Sequence, residues 1–222
     1  MKHPISQSIH VATDAVIFTV RQGELMVLLI QMKKKPYEGR WAVPGGLLGD
    51  REKSEEAARR ILSTQTGVSD AHLEQLATFD DPKRDALGRV ISISYVAVVP
   101  SENVVLKTTD RYADVRWWSV AKLPSLAYDH KEIIRVAVER IRGKLEYTNI
   151  VWSLLPAQFS LTELQDIYEI ILARTLDKRN FRRRVLELGI ITPTGTKRRG
   201  DAHRPAELYK FKHRRLEYID VI

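Results

Sequence analysis

The sequence of 222 residues contains no cysteine, and this absence excludes two classes of protein. A chain without thiols cannot be held together by disulfides, and it cannot bind zinc through cysteine ligands. The longest apolar runs, such as LMVLLI at 25–30, are far shorter than the roughly 20 residues that a transmembrane helix needs. The first residues of the sequence also lack the basic segment followed by an apolar segment that marks a secretory signal. We therefore expect a cytoplasmic protein without a membrane span.

Acidic residues are scarce in the last third of the chain, where basic residues concentrate. Residues 174–215 hold 14 Lys and Arg against 4 Asp and Glu, whereas residues 1–150 hold 22 against 19. The net charge of +8 is therefore mainly a local feature. Such an excess favours an acidic partner, such as nucleic acid, for the C-terminal part.

Two patterns of secondary structure follow one another along the chain. Apolar runs at 11–20 and 24–32, separated by Arg-Gln-Gly, predict a β-hairpin. Helical spacing of apolar residues predicts helices over about 53–66 and 129–145. Further strands are predicted at 40–46, 73–79, 90–99 and 114–118. After about residue 146 come three helical segments and two short strands, so we expect two directly packed domains, 1–148 and 149–222.

A spaced motif lies in the predicted strand, loop and first helix. Gly46, Glu52, Arg60, Leu62 and the pair Gly67-Val68 match the box of the Nudix hydrolases, which the chain therefore resembles. The resemblance implies an α/β/α sandwich with a mixed sheet. It implies an active pyrophosphatase only if the metal-binding glutamates of the box are present.

Those glutamates are replaced in this sequence. The three positions that follow the box arginine carry Ile61, Thr64 and Gln65, which share one helix face. Hydrolysis of a pyrophosphate needs clustered carboxylates that hold divalent cations, and this face has none. Glu55 and Glu56, two turns upstream, suit a solvated helix face better than a rebuilt metal site. We therefore expect no catalytic residue and no metal site.

Loss of the metal ligands leaves a ligand pocket possible. DDPKRDALGRV at 80–90 is similar to a loop of the ADP-ribose-directed branch of the family, although Ala86 and Leu87 depart from its pattern. Arginines of this loop can hold phosphate, and a tryptophan can stack on a base. The alternative is that the tryptophan is core and the arginines lie on a solvated turn. The candidate ligand-binding residues are Trp41, Gly45, Gly46, Arg84, Asp85 and Arg89.

A helix pair with a basic second member occupies the C-terminal part. Ser160 and Glu163 form a capping box for the first helix, and Asp177 is a good N-cap for the second. Phe181 and Val185 mark the buried stripe of the second helix. Its first turn carries cations, although the helix dipole disfavours them there. This arrangement is typical of a helix-turn-helix that enters the DNA major groove.

The pattern of the following segment, 190–212, predicts a strand, a basic tip and a second strand, which is the shape of a wing. Basic side chains at the tip would contact phosphates, while the second helix would read base edges. The alternative is a solvated basic face. The candidate DNA-binding residues are Lys178, Arg179, Asn180, Arg182, Arg183, Lys197, Arg198, Arg199 and Arg204.

The two halves together resemble the NrtR family, the Nudix-related transcriptional regulators of NAD metabolism. The resemblance covers nearly the whole chain and rests on the altered box, on DKRNFRRRV at 177–185 and on GDAHRPAELYKF at 200–211. It implies an α+β fold in which a Nudix-type sandwich precedes a winged helix-turn-helix domain. It further implies a homodimeric repressor on palindromic double-stranded DNA, without a cofactor, that ADP-ribose releases as effector.

Two alternatives remain open at this point. The first is an active ADP-ribose pyrophosphatase with a basic, nucleic-acid-binding tail. The second is a regulator of the same architecture that senses a sugar or another nucleotide, since the departures at Ala86 and Leu87 touch the pocket loop.

Overall fold

Strands and helices follow one another along the chain in the predicted order. The computed structural model describes residues 8–68, 71–100, 104, 106, 110–198 and 205–219. The elements of this part are β1 (His10–Arg21), β2 (Glu24–Met32), β3 (Trp41–Ala42), β4 (Gly45–Leu47), α1 (Ser54–Thr66), β5 (His72–Phe79), β6 (Val90–Val98), β7 (Tyr112–Ser119), α2 (His130–Tyr147), a 3₁₀ helix (Ile150–Ser153), α3 (Leu161–Leu172), α4 (Lys178–Glu187), β8 (Ile191–Arg198) and β9 (Ala206–Phe211).

The first seven strands form one mixed sheet. Its main path runs β3-β2-β1-β6-β5, while β4 pairs with β1 and β7 pairs with β2. β1 and β6 are parallel, and the other strand pairs are antiparallel. The β1–β6 pairing places the start of β1 beside the loop that precedes β6, so residues near 10 and near 90 meet at one edge of the fold.

Both faces of this sheet are covered, because β1 is apolar on both sides. Val16 and Phe18 pack into the core that contains α2, whereas Ala15 and Ile17 pack into the core that contains α1. Successive strand residues point to opposite faces, so an uninterrupted apolar run indicates burial on both sides. The result is the expected three-layered α/β/α sandwich.

The C-terminal residues form a winged helix-turn-helix. Ser160 accepts a hydrogen bond from the backbone N–H of Glu163 at 3.1 Å, and Glu163 accepts one from the backbone N–H of Ser160 at 2.7 Å. The predicted capping box of α3 is therefore confirmed. Asp177 caps α4 by accepting from the N–H of Asn180 at 2.8 Å. β8 and β9 pair antiparallel behind the helices, as predicted for a wing.

The two parts share a continuous core rather than a linker. α2 contributes Ile141 and Leu145 to the same apolar cluster as Tyr168 and Ile171 of α3. Arg142 of α2 also donates Nε–H to the carbonyl oxygen of Ile171 at 2.8 Å. α2 therefore connects the sheet directly to the helix-turn-helix.

None of the helices that the structure describes is long and apolar enough to cross a membrane. The longest of them, α2, has 18 residues and carries charged side chains along its exposed face.

Candidate functional site

A cavity of about 420 Å³ opens at the edge of the sheet where β1, β4 and the loop before β6 meet. We call it the first cavity. Four of the six candidate ligand-binding residues line it, namely Gly45, Gly46, Arg84 and Asp85. Pairing of β4 with β1 brings in the two glycines, and the parallel pairing of β6 with β1 brings in the loop residues.

Gly45 is required by the close approach of β1. A Cβ atom at residue 45 would lie 2.1 Å from Oδ1 of Asp14 and 3.0 Å from the carbonyl oxygen of Thr13. A Cβ atom at Gly46 would meet nothing within 4 Å. Packing against β1 thus excludes any side chain at residue 45, whereas a side chain at residue 46 would meet open space.

A buried polar cluster forms one wall of the first cavity. Arg84 donates to both carboxylate oxygens of Asp129, at 3.0 and 2.9 Å, and to Oδ2 of Asp14 at 3.3 Å. Ser92 also donates to Oδ2 of Asp14, at 2.6 Å. The side chain of Arg84 is only 3% exposed. Because the two carboxylates already balance its charge, Arg84 would orient a ligand through its remaining N–H groups rather than act as a free cation.

His130 completes this cluster in its neutral form. Its Nδ1 accepts a hydrogen bond from the backbone N–H of Val43 at 3.0 Å, so the ring proton lies on Nε2, 3.7 Å from Oδ2 of Asp14. Burial lowers the pKa of His130 below its ordinary value, although Asp14 acts in the opposite direction. The first cavity thus has a neutral imidazole that faces a carboxylate.

The other two candidate ligand residues do not line the first cavity. Trp41 is buried in the core, where its ring meets the ring of Trp118 edge-on at a centroid distance of 5.1 Å. Arg89 donates Nη1–H to the carbonyl oxygen of Asp80 at 2.6 Å. These contacts agree with the alternative that the sequence left open, in which Trp41 is core and Arg89 belongs to a turn.

Several cavity residues were missed by the sequence reasoning. Asp14, Tyr112, Tyr128 and His130 all line the first cavity. A signal for Asp14 was present, because a lone carboxylate within the apolar run of β1 requires a partner. The tyrosines had no such signal, because they come from positions far from the Nudix box.

A second cavity, also of about 420 Å³, lies beside α1. Ile61, Thr64 and Gln65 line it together with Arg60 and Arg111. It shares Gly45, Gly46, Leu47 and Tyr112 with the first cavity, so the two are adjoining compartments of one cleft.

The acidic residues at the start of α1 have intramolecular partners. Glu52 accepts hydrogen bonds from Nε and Nη2 of Arg60 at 2.7 and 2.9 Å, and this contact lowers its pKa. Glu55 pairs with Arg59 at 2.8 Å. Glu56 accepts from the backbone N–H of Lys53 at 3.1 Å. Among the described residues, no three His, Asp or Glu side chains are grouped so that they could hold a metal ion. The cleft therefore does not fit the divalent cations of a Nudix hydrolase.

A larger cavity of about 830 Å³ lies between the β1–β2 turn, α2 and the end of α3. Its lining is mainly apolar, with Leu25 and Ile134 among its residues. Arg135, which also lines this cavity, forms ion pairs with Glu132 and Glu139. The cleft, in contrast, has convergent polar groups that could orient a small molecule.

The outward face of α4 is basic. Phe181 and Val185 are buried, whereas Lys178, Arg179, Asn180 and Arg183 are exposed. Arg182 lies on the flank, partly buried, and donates to Oγ1 of Thr162 at 2.8 Å. The structure therefore places four of the five candidate residues of α4 on its exposed surface, where Nε of Arg183 also lies 3.9 Å from Oε1 of Glu187.

The wing contributes fewer free cations than its sequence suggests. Lys197 is exposed at the end of β8. Arg198 donates Nη1–H to Oε1 of Glu163 at 2.7 Å and Nη2–H to the carbonyl oxygen of Gln158 at 3.3 Å. Arg199 and Arg204, the other two candidates, lie outside the described residues.

Comparisons with known proteins match both halves of the chain. Residues 9–138 match the NUDIX domain family, and residues 151–211 match the NrtR DNA-binding winged helix domain family. The chain is 37% identical over 203 residues to the ADPR responsive transcriptional repressor NtrR of Acinetobacter baylyi, covering 89% of this chain and 80% of that protein. It is also 34% identical over 126 residues to an ADP-ribose pyrophosphatase of Methanocaldococcus jannaschii, covering 56% of this chain and 70% of that protein.

Solved structures of Shewanella oneidensis NrtR are similar as well. The complex of that protein with a 27mer DNA has a TM-score of 0.81 and 34% identity, and the match covers 91% of this chain and 93% of that one. The NUDIX domain of the same protein in a cocrystal with ADP ribose has a TM-score of 0.54 and 33% identity, over 61% of this chain and 90% of that one.

Proposed function

Since this chain belongs to the NrtR family of Nudix-related transcriptional regulators, we propose that it represses genes of NAD metabolism and is released from DNA by ADP-ribose. The winged helix domain binds double-stranded DNA, and the cleft of the Nudix domain binds the effector. The observation that carries the DNA-binding function is the exposed basic N-terminal half of α4. Cations at this end of a helix cost stability, so a partner with negative charge explains them better than folding does.

Roles for individual residues follow from this proposal. Arg179 and Arg183, on the face of α4 opposite the buried stripe, and Asn180, on an exposed flank of the helix, read base edges. Lys178, Arg182 and the wing cations Lys197, Arg198, Arg199 and Arg204 contact phosphates. In the cleft, Gly45, Gly46, Arg84 and Asp85 contact the effector directly.

The Nudix domain is a sensor rather than an enzyme in this proposal. Three acidic residues within the box, Glu52, Glu55 and Glu56, each have an intramolecular partner. Incubation with ADP-ribose and Mg²⁺ or Mn²⁺ should therefore leave the ligand intact, while calorimetry on the same sample detects binding. Turnover would instead support the hydrolase function of the Methanocaldococcus jannaschii relative.

The chain acts as a cytoplasmic homodimer on a palindromic operator. Two recognition helices in a symmetric dimer read half-sites about one DNA turn apart. ADP-ribose binds more tightly to the arrangement of the dimer that does not fit the two half-sites. A coupling free energy of about 1–3 kcal/mol between effector and DNA would weaken DNA binding about 5- to 150-fold.

The experiment that tests the proposal starts with selection of binding sites from random DNA duplexes by the full-length chain. ADP-ribose is then titrated against the selected duplex at fixed salt, with light scattering to establish the stoichiometry. Selection of palindromic sites and loss of affinity with ADP-ribose support the proposal. Unchanged DNA affinity over the range in which calorimetry shows binding would refute the effector role, and a sugar panel would then test the alternative sensor.

A further inference from the structure

The second cavity has the charge of an anion site rather than of a metal site. Arg60 and Arg111 both line it, and Asp110 is the one carboxylate among its described lining residues. Because Glu52 offsets the charge of Arg60, repulsion of a divalent cation in this position comes mainly from Arg111. Phosphate oxygens, in contrast, are the ligands that guanidinium groups bind best.

Both arginines keep donors for a ligand. Glu52 occupies Nε and Nη2 of Arg60, which leaves three of the five guanidinium N–H groups. Arg111 is exposed and has no acidic partner among the residues that the structure describes. Its charge also acts on Tyr112, which lines both cavities. Arg111 is therefore the stronger candidate for a direct contact with an anion.

Gln65 provides independent evidence for a ligand in the second cavity. Its side chain lies at one of the former glutamate positions and is 4% exposed, yet Oε1 has no hydrogen-bond partner among the described residues. An amide oxygen that is buried without a donor has lost its hydrogen bonds to water, which is unfavourable. Because this oxygen is an acceptor, a hydroxyl group of the ligand beside the diphosphate, or a water bound to the ligand, would satisfy it, whereas a phosphate oxygen would not.

We propose that the second cavity is a phosphate subsite in which Arg111 and Arg60 hold the diphosphate of a nucleotide ligand without any divalent cation. The adjoining first cavity takes the uncharged remainder of the ligand, because its arginine is already paired with two carboxylates. This inference rests on the proposed effector function and deepens it. The face of α1 formed by Ile61, Thr64 and Gln65 offers no carboxylate to a divalent cation, so the two arginines supply the positive charge for the diphosphate instead.

Two probes test the subsite by calorimetry on the full-length chain, namely ADP-ribose and inorganic pyrophosphate. Each is measured in EDTA and in Mg²⁺. The wild-type affinity for ADP-ribose should be the same in both buffers. Arg111→Gln should weaken both probes about tenfold or more, as expected for loss of a charge-assisted hydrogen bond. Arg21→Gln, which removes an exposed cation outside both cavities, should change neither.

Thr64→Glu restores a carboxylate at an exposed position of α1, where it should not disturb folding. Its negative charge should weaken binding in EDTA, and Mg²⁺ should recover part of the loss. Binding by the wild type that requires Mg²⁺, or equal affinities for Arg111→Gln and Arg21→Gln, would overturn the proposal.

The two probes separate this inference from the proposed function. Pyrophosphate binding that depends on Arg111, without binding of ADP-ribose, would support the subsite and refute ADP-ribose as effector. ADP-ribose binding that requires Mg²⁺ would support ADP-ribose as the effector and refute the metal-free subsite. If neither probe binds, both proposals fail.

Discussion

Arg84 and Asp129 form a bidentate ion pair between the cavity loop and the beginning of α2. Nε and Nη2 of Arg84 lie 3.0 and 2.9 Å from the two carboxylate oxygens of Asp129. Asp129 is the N-cap residue of α2, but its carboxylate pairs with Arg84 and does not cap the helix. At the other end of the same helix, Arg142 holds the last turn of α3 through the carbonyl of Ile171. The wall of the first cavity is thus joined to the helix-turn-helix through α2.

Removal of Arg84 should destabilise the whole domain. Arg84→Ala leaves the buried Asp14 and the partly buried Asp129 without their cation, and removal of one partner of a buried ion pair costs about 3–5 kcal/mol. Arg89→Ala, in the same loop, loses one exposed hydrogen bond and should cost about 1 kcal/mol or less. Urea denaturation followed by circular dichroism measures both. Similar midpoints for the two variants would show that the buried cluster tolerates an unpaired carboxylate.

Acid should destabilise the wild type more than a variant without the buried imidazole. Burial lowers the pKa of His130 below the value of about 6.5 that it has in the unfolded chain. Below pH of about 6.5 the imidazole therefore takes up a proton in the unfolded state but stays neutral in the folded state. The contribution of the neutral His130 to the free energy of unfolding is thus present above pH of about 6.5 and is lost as pH falls. His130→Asn keeps an acceptor for the N–H of Val43 and removes the titration.

The measurement is the free energy of unfolding of both proteins between pH of about 5 and 8. The difference between wild type and His130→Asn should grow in favour of the wild type as pH rises and then level off. Every other titratable group is common to both proteins and cancels in the difference. Parallel curves across this range would mean that His130 titrates normally in the folded state.

The fold could be predicted from the sequence because local signals determine it. The Nudix spacing, the Ser160–Glu163 capping box and the buried stripe through Phe181 and Val185 each depend on residues a few positions apart. The α+β class, the mixed sheet and the winged helix-turn-helix are confirmed for the same reason. The division at residue 148 remains a prediction, since α2 and α3 share one core.

The roles of individual cleft residues could not be predicted, because they depend on partners distant in sequence. Arg84 resembles a phosphate ligand until its two carboxylates, 70 and 45 positions away, are known. Trp41 similarly requires knowledge of Trp118 before its ring can be assigned to the core. Contacts between residues so far apart in the sequence are set by the topology of the sheet. A single sequence carries no periodic signal that would predict them.

The outward face of α4 should dominate the affinity for DNA. Arg183→Ala should weaken binding to a selected operator by about 1–3 kcal/mol and relax the preference at one base pair. Lys197→Ala should weaken all duplexes alike and reduce the salt slope by about 1. Arg21→Ala, which changes the net charge equally in the other domain, is the matched control. Equal effects of Arg183→Ala and Arg21→Ala would show that net charge alone drives binding.

Glu163 should restrain the wing through Arg198. The pair is about half exposed, with Nη1 and Oε1 at 2.7 Å, so it competes with any phosphate for the same guanidinium. Glu163→Gln removes the negative charge, while a glutamine at this position still completes a capping box. Stability should fall by about 1 kcal/mol or less, because exposed ion pairs contribute little. DNA affinity should rise, and the salt slope should steepen by about 1 as Arg198 gains a phosphate contact.

The matched control for this change is Glu139→Gln, which removes one negative charge from the exposed face of α2. Filter binding or fluorescence anisotropy at several salt concentrations gives the affinity and the slope for each protein. A steeper slope for Glu163→Gln alone identifies Arg198 as the residue released, since a change in net charge is common to both variants. If both variants show the same slope, Arg198 does not contact phosphate, and its role is to hold the wing against the N-terminus of α3.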